Sequence, residues 1–317
     1  MRLPDPKGPV EGPEKGLAPI RQPFRAAAWM GLAQLLFALM VICALVGGRG
    51  VPWQEVGATL FLFGVVADYV IARLRMQSLR ITRIRESWLR SGFGTLSAAG
   101  TFYVYSAPNL PIGDAITLFA TSPIFVALAS APFLGERVKR NVVLSLAFGF
   151  SGIAVVAKPS FSSAPHLIAA GTGTAMATAL AMVWLRRIGP SESSEAIVVH
   201  FSCIGFGAML LGALPVWRTP TAHDAMVLAL MGLSGGLAQI AMTRAYALDH
   251  AARVSAMTYS SVVFMRVLAV PVFGEIPNAM QISGSLLVVA SGIVLALGAT
   301  GRRTRMQGQS PPPAMEG

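Results

Sequence analysis

The sequence predicts an all-α membrane protein of ten transmembrane helices, built as two inverted five-helix repeats. Three observations carry that expectation: a composition too apolar for a soluble domain, ten hydrophobic runs of spanning length, and a self-similarity between the two halves of the chain. Of 317 residues, 54% are hydrophobic and 12% are charged, about half the charged share of an ordinary soluble domain. Mean hydropathy is +0.62. A spanning helix needs roughly 20 apolar residues, which leaves room for ten between two polar tails. Runs such as Trp29–Val46 do not alternate apolar with polar residues, so a β-barrel is excluded.

The spans fall at 25–46, 56–74, 89–108, 112–134, 141–158, 166–185, 195–216, 224–247, 252–273 and 279–299. They group into halves at 25–158 and 166–299, with tails at 1–24 and 300–317. Lys and Arg alternate with them. Twenty of the 25 fall on the side of the N-terminal tail, including Arg73, Arg75, Arg80, Arg83, Arg85 and Arg90 from the end of span two to the start of span three. Arg49, Lys158 and Arg218 fall on the other side, and Arg244 and Arg266 lie within spans. The positive-inside rule then predicts that both termini are cytoplasmic, and the expected location is the inner membrane. The proline-rich start has no short apolar core with a cleavage site, so it reads as a cytoplasmic tail rather than a signal peptide. Topology also accounts for the net charge of +11, so no nucleic-acid partner is expected. Cys43 and Cys203 sit in apolar runs and suggest neither a disulfide nor a metal site.

The repeat fixes the architecture. Phe133-Leu134-Gly135-Glu136 closes span four and Val272-Phe273-Gly274-Glu275 closes span nine; a shift of 139 superposes them and sets Ser122 on Ser261. With one residue inserted, Ser151-Gly152-Ile153 falls on Ser291-Gly292-Ile293. Five helices per half is an odd number, so the second half enters the membrane inverted, an arrangement common in secondary transporters.

Ten helices, a five-plus-five repeat and a Gly-Glu after the fourth helix of each half resemble the drug/metabolite transporter superfamily, EamA type, over roughly residues 27 to 299. The resemblance implies a secondary carrier, most often an exporter of amino acids, metabolites or toxic compounds, with some relatives moving vitamins such as riboflavin. The family pattern has a basic residue in the second helix of a half, where this chain has Asp68 as the sole charge deep in the span.

Polar residues spaced by three or four share a helix face. Such stripes run through span three (Gly94, Ser97, Thr101, Tyr105), span four (Asp114, Thr117, Thr121), span six (Gly171, Thr174, Thr178), span eight (Gly232, Gly235, Gln239, Thr243, Tyr246) and span nine (Ser255, Tyr259, Arg266). Small residues in such stripes also serve close helix packing. The candidate substrate cavity is lined by Tyr105, Thr121, Gln239, Thr243, Tyr246, Tyr259 and Arg266. Arg266 lies about 21 Å along its helix, where it either holds an anionic group of the substrate or forms an ion pair within the bundle. Asp68 and His200 are proton-coupling candidates, against the alternatives that Asp68 pairs with Arg73, Arg75 and Arg80 and that His200 bonds to a neighbour. Arg244, near a span end, is expected to snorkel to the surface. Glu136 and Glu275 read as structural, each beside the start of the next helix.

No phosphate-binding Gly-Lys-Ser/Thr loop, His-Glu-x-x-His or Gly-x-Ser-x-Gly is present, and the four histidines lack ligand spacing. No cofactor, metal or enzymatic activity is expected. The expected function is transport of small organic molecules by alternating access, export first and vitamin uptake second. The rival from another class is a non-transporting membrane protein such as a lipid-handling enzyme or receptor. Partners are a small-molecule substrate and membrane lipid, with a second copy of the chain as a candidate.

Overall fold

The computed structural model describes residues 22–47, 50–107, 112–160, 164–274 and 278–307. Within them the chain is helical, with no strand. The elements are α1 (Pro23–Gly47), α2 (Trp53–Leu74), α3 (Ile84–Ser106), α4 (Ile112–Phe119), α5 (Ser122–Leu134), α6 (Arg140–Ala157), α7 (Pro165–Ile188), α8 (Ser194–Ala213), α9 (Ala222–Leu248), α10 (Ala251–Ala256), α11 (Ser261–Phe273) and α12 (Ala279–Gln307). Single 3-10 turns follow α8 and α10.

Eight segments are long and apolar enough to cross a membrane, counting α4 with α5 and α10 with α11 as one each. The third and tenth predicted spans are not among them. α3 begins at Ile84, five residues before the predicted start, and so takes in Arg85 and Glu86 besides Arg90. The apolar stretch of α12 in the described residues runs only over Ala279–Leu295.

The two interrupted helices break for different local reasons. In the first, Pro123 at the start of α5 has no N–H to continue the ladder, and Thr121 turns its hydroxyl back onto the Leu118 carbonyl at 2.6 Å. In the second, the hydroxyls of Ser255, Thr258 and Ser260 each donate to the carbonyl three residues earlier, which tightens the helix into a 3-10 turn over Met257–Ser260. Downstream the two segments match at a spacing of 139: Pro132 and Pro271 lie inside them, and Gly135 (φ 65°) and Gly274 (φ 67°) end them in the left-handed region that glycine tolerates.

Helices of the two halves interlock. α2 packs antiparallel on α8, where Gly57, Phe61 and Gly64 meet Met209, Gly205 and Ser202 in turn. α6 and α12 are likewise antiparallel, joined by Ser145 and Ser291 (2.9 Å) and by the backbones at Gly152 and Gly284. α1 lies along α9, and α7 along α3. The largest apolar cluster sits where α1, α5, α7, α8, α9 and α10 converge, around Met30, Leu185, Ile188, Ile197 and Tyr246.

A buried polar core and a cavity at the broken helices

Four helices, α2, α3, α8 and α9, enclose a group of polar side chains. Arg90 is its centre. It sits in the second turn of α3 and is 1% exposed, although the Lys/Arg distribution counted it with the cytoplasmic boundary charges. Its Nη2 donates to Gln239 Oε1 of α9 at 3.2 Å, and its guanidinium lies over the Phe201 ring of α8, 4.0 Å from the centroid. Its Nε and Nη1 have no hydrogen-bond partner among the described residues. Gly94, one turn on, leaves the space that Arg90 and Phe201 fill, since a Cβ there would lie 2.5 Å from Nη1.

On one side of Phe201, His200 Nδ1 is 2.8 Å from Ser91 Oγ, and its ring meets Trp88 edge-on. On the other, Ser202 donates to Asp68 Oδ2 at 2.9 Å. Asp68 is fully buried, its Oδ1 has no partner among the described residues, and Gly236 of α9 packs beside it. It makes no ion pair with Arg73, Arg75 or Arg80, because the α8 face supplies its partner instead. Thr243, one turn beyond Gln239, is fully buried with its hydroxyl unpartnered among the described residues.

Other candidate residues fall elsewhere. Tyr246 is 1% exposed within the apolar cluster. Tyr105 is about half exposed, its ring edge-on to Phe119 of α4. Tyr259 lies in the turn between α10 and α11 and donates to the Ala120 carbonyl, next to Thr121, at 3.0 Å. The two helix interruptions therefore touch. Beside them is a cavity of about 270 Å³, walled by Phe24, Gly31, Arg253, Tyr259, Ser260 and Ser291 among others. Arg266 lies on α11, six residues past the break, and its side chain is outside the described residues, as is all of Glu275.

Several charges near the helix ends are paired. Arg244 does not snorkel: it pairs with Glu195 of α8 and stacks over Trp29 of α1, 4.7 Å from the ring centroid. Glu136 accepts from Arg186 Nε and from the Ala251 N–H, both at 2.8 Å, with His250 Nδ1 at 3.1 Å. The helix start it meets is thus that of α10 in the other half of the chain, not of the adjacent α6. Burial alone would raise its pKa, but His250 and Arg186 beside it hold the carboxyl below its ordinary value. Glu192 likewise titrates below its ordinary value. Burial pushes it up, and Thr82 and the backbone N–H of Arg83 outweigh that by donating to it.

Arg90 escaped the sequence reading because a cation near a span boundary looks like a topology signal. The Ser87–Arg90–Gly94 spacing on one face of α3 was the signal available.

Residues 24–158 match the EamA-like transporter family. The chain is 27% identical to the pseudopaline exporter CntI of Pseudomonas aeruginosa, over 84% of this chain and 93% of that one. It is 26% identical to the riboflavin transporter of Vibrio cholerae, over 85% and 92%. A solved crystal structure superposes with a TM-score of 0.76 at 19% identity, covering 89% of this chain and 99% of the other, a likeness of fold.

Proposed function

From the chain's membership of the drug/metabolite transporter superfamily, we propose that this multi-pass membrane protein carries small organic molecules across the cytoplasmic membrane by alternating access, in the direction of export. The observation that carries this reading is the contact of two interrupted helices deep in the bundle, Tyr259 of one bonding Ala120 of the other. Interrupted helices free backbone carbonyls beside a polar path, and secondary transporters build their solute sites from such helices.

In this reading the chain is two inverted five-helix repeats with ten crossings, bounded at 25–158 and 166–299. Support comes from the packing: Tyr259 is the residue 139 positions after Ala120, and repeat-related α2 and α8, and α6 and α12, run antiparallel against each other. Both termini are assigned to the cytoplasm by the Lys/Arg distribution. The path runs from the polar core of Arg90, Gln239 and Thr243 toward Thr121 and Tyr259, with Asp68 and His200 as proton-coupling groups. The exporter name of one relative favours efflux, and the riboflavin transporter name of another supplies the second reading, vitamin uptake.

The test is flux. Purified protein in liposomes should exchange at least one member of a panel of labelled amino acids, nucleotides, riboflavin and cationic drugs faster than protein-free liposomes. Exchange of riboflavin alone would favour the second reading. Liposomes indistinguishable from controls across the panel would refute the transport assignment.

A further inference from the structure

We propose that Arg90 is the recognition group for a carboxylate on the transported molecule, which makes the substrate class small organic carboxylates. The inference rests on the transport reading above and specifies its site. A guanidinium carries five N–H donors, and Arg90 uses its Nη2 on one neutral acceptor, Gln239. Nε and Nη1 are buried without a partner among the described residues, and no described carboxylate lies within 4 Å of it. The other buried arginines among the described residues have their counter-ion, Arg186 in Glu136 and Arg253 in Asp249, and the part-buried Arg244 has Glu195. A buried cation without one is costly, and its natural complement is an anion that arrives from outside.

The surroundings fit a small polar ligand. Ser87 and Thr243 are also buried with unpartnered hydroxyls, one turn from Arg90 along α3 and one turn from Gln239 along α9. Both displacements point to the same end of the bundle. The loop before α3 is bonded to Glu192, just ahead of α8, and the end of α9 is bonded to Glu195, at the start of α8. α3 and α9 are not packed along their lengths; the Arg90–Gln239 bond reaches across between them. Separation of α3 from α9 would break that bond and present the guanidinium, both hydroxyls and the Gln239 amide to an entering carboxylate. At 1% exposure Arg90 is closed to a lipid headgroup from the bilayer.

The experiment uses the full chain in detergent and in liposomes, with matched probes: amino acids against their amides, and dicarboxylates against their diamides. Wild-type protein should be stabilised by particular acids and not by their amides. Arg90→Gln should weaken that binding roughly 10- to 100-fold, the scale of a lost hydrogen bond to a charged group, while Arg90→Lys retains part of it. Because Arg90→Gln is open to a folding defect, the acid-versus-amide comparison on wild type stands by itself, and Ser87→Ala provides a milder variant. Equal response to acid and amide, response to uncharged or cationic probes only, no response to any acid, or undiminished acid binding by a folded Arg90→Gln would each overturn the proposal. The first three leave the transport reading to the flux assay, since a carrier of uncharged or cationic compounds still exchanges those.

Discussion

Glu136 illustrates how one side chain ties distant segments. It takes hydrogen bonds from Arg186 on α7 and from the first N–H of α10, so removing it leaves a nearly buried guanidinium and a helix start without their acceptor. Glu136→Gln is expected to cost about 1.5–3 kcal/mol, read as a lower melting temperature and folded yield. Transport per folded molecule should stay near wild type; normal yield with lost transport would refute the structural role. The pH dependence follows from the sign of the shift. A carboxyl held below its ordinary value of 4.5 stabilises the fold above that pH, and the contribution disappears as pH falls through the lower folded value. The stability gap between wild type and Glu136→Gln should therefore narrow in acid, which melting curves at pH 7 and below 4.5 will test.

At the scale of elements, the α6–α12 pair depends on missing side chains. A Cβ at Gly152 would stand 2.6 Å from the Gly284 carbonyl oxygen, and one at Gly284 would stand 2.7 Å from that of Gly152. These are backbone atoms, which cannot swing aside, so Gly152→Val should destabilise by about 1–3 kcal/mol. Gly292 falls on Gly152 when the two halves of the sequence are aligned, yet a Cβ there meets nothing within 4 Å, and it borders the cavity. Gly292→Ala should leave the melting temperature unchanged. Equal effects of the two substitutions would mean that the helix contact is not set by glycine. The breaks in α4–α5 and α10–α11 are a second element-scale feature. The first follows from Pro123, whose missing N–H any helix must accommodate, whereas the second arises from hydroxyls bonding back along their own helix, a choice that serine and threonine do not dictate locally.

Across the whole molecule the helices are exchanged between halves. α1 belongs in sequence to the first half and packs on α9 and α11; α7 belongs to the second and packs on α3 and α5. Units that move past each other are expected to follow this packing rather than the chain order. Ser97 and Thr178 meet across α3 and α7 at 2.5 Å, so a disulfide in Ser97→Cys/Thr178→Cys should leave flux intact. Bridging Glu136→Cys to His250→Cys with a short bifunctional reagent joins the α5 end to the α10 start, and should stop flux reversibly if the bridge is cleavable. Flux that stops in the first variant, or persists in the bridged second, would refute this division.

The sequence by itself determined the membrane class, most of the spans, the helix ends at Gly135 and Gly274 and the resemblance to EamA-like transporters, because these rest on composition, length and local backbone demands that need no partner. It also picked out Gln239 and Thr243, whose spacing by four marks one helix face. Only the tertiary structure decided which polar groups meet. Arg90 and Gln239 are 149 residues apart in the chain, and Glu136 reaches a helix start 115 residues away. Tyr246 shares the stripe of Gln239 and is buried in the apolar cluster all the same. A helix face fixes the direction a side chain points, and which helix stands opposite is set by the packing of the whole bundle.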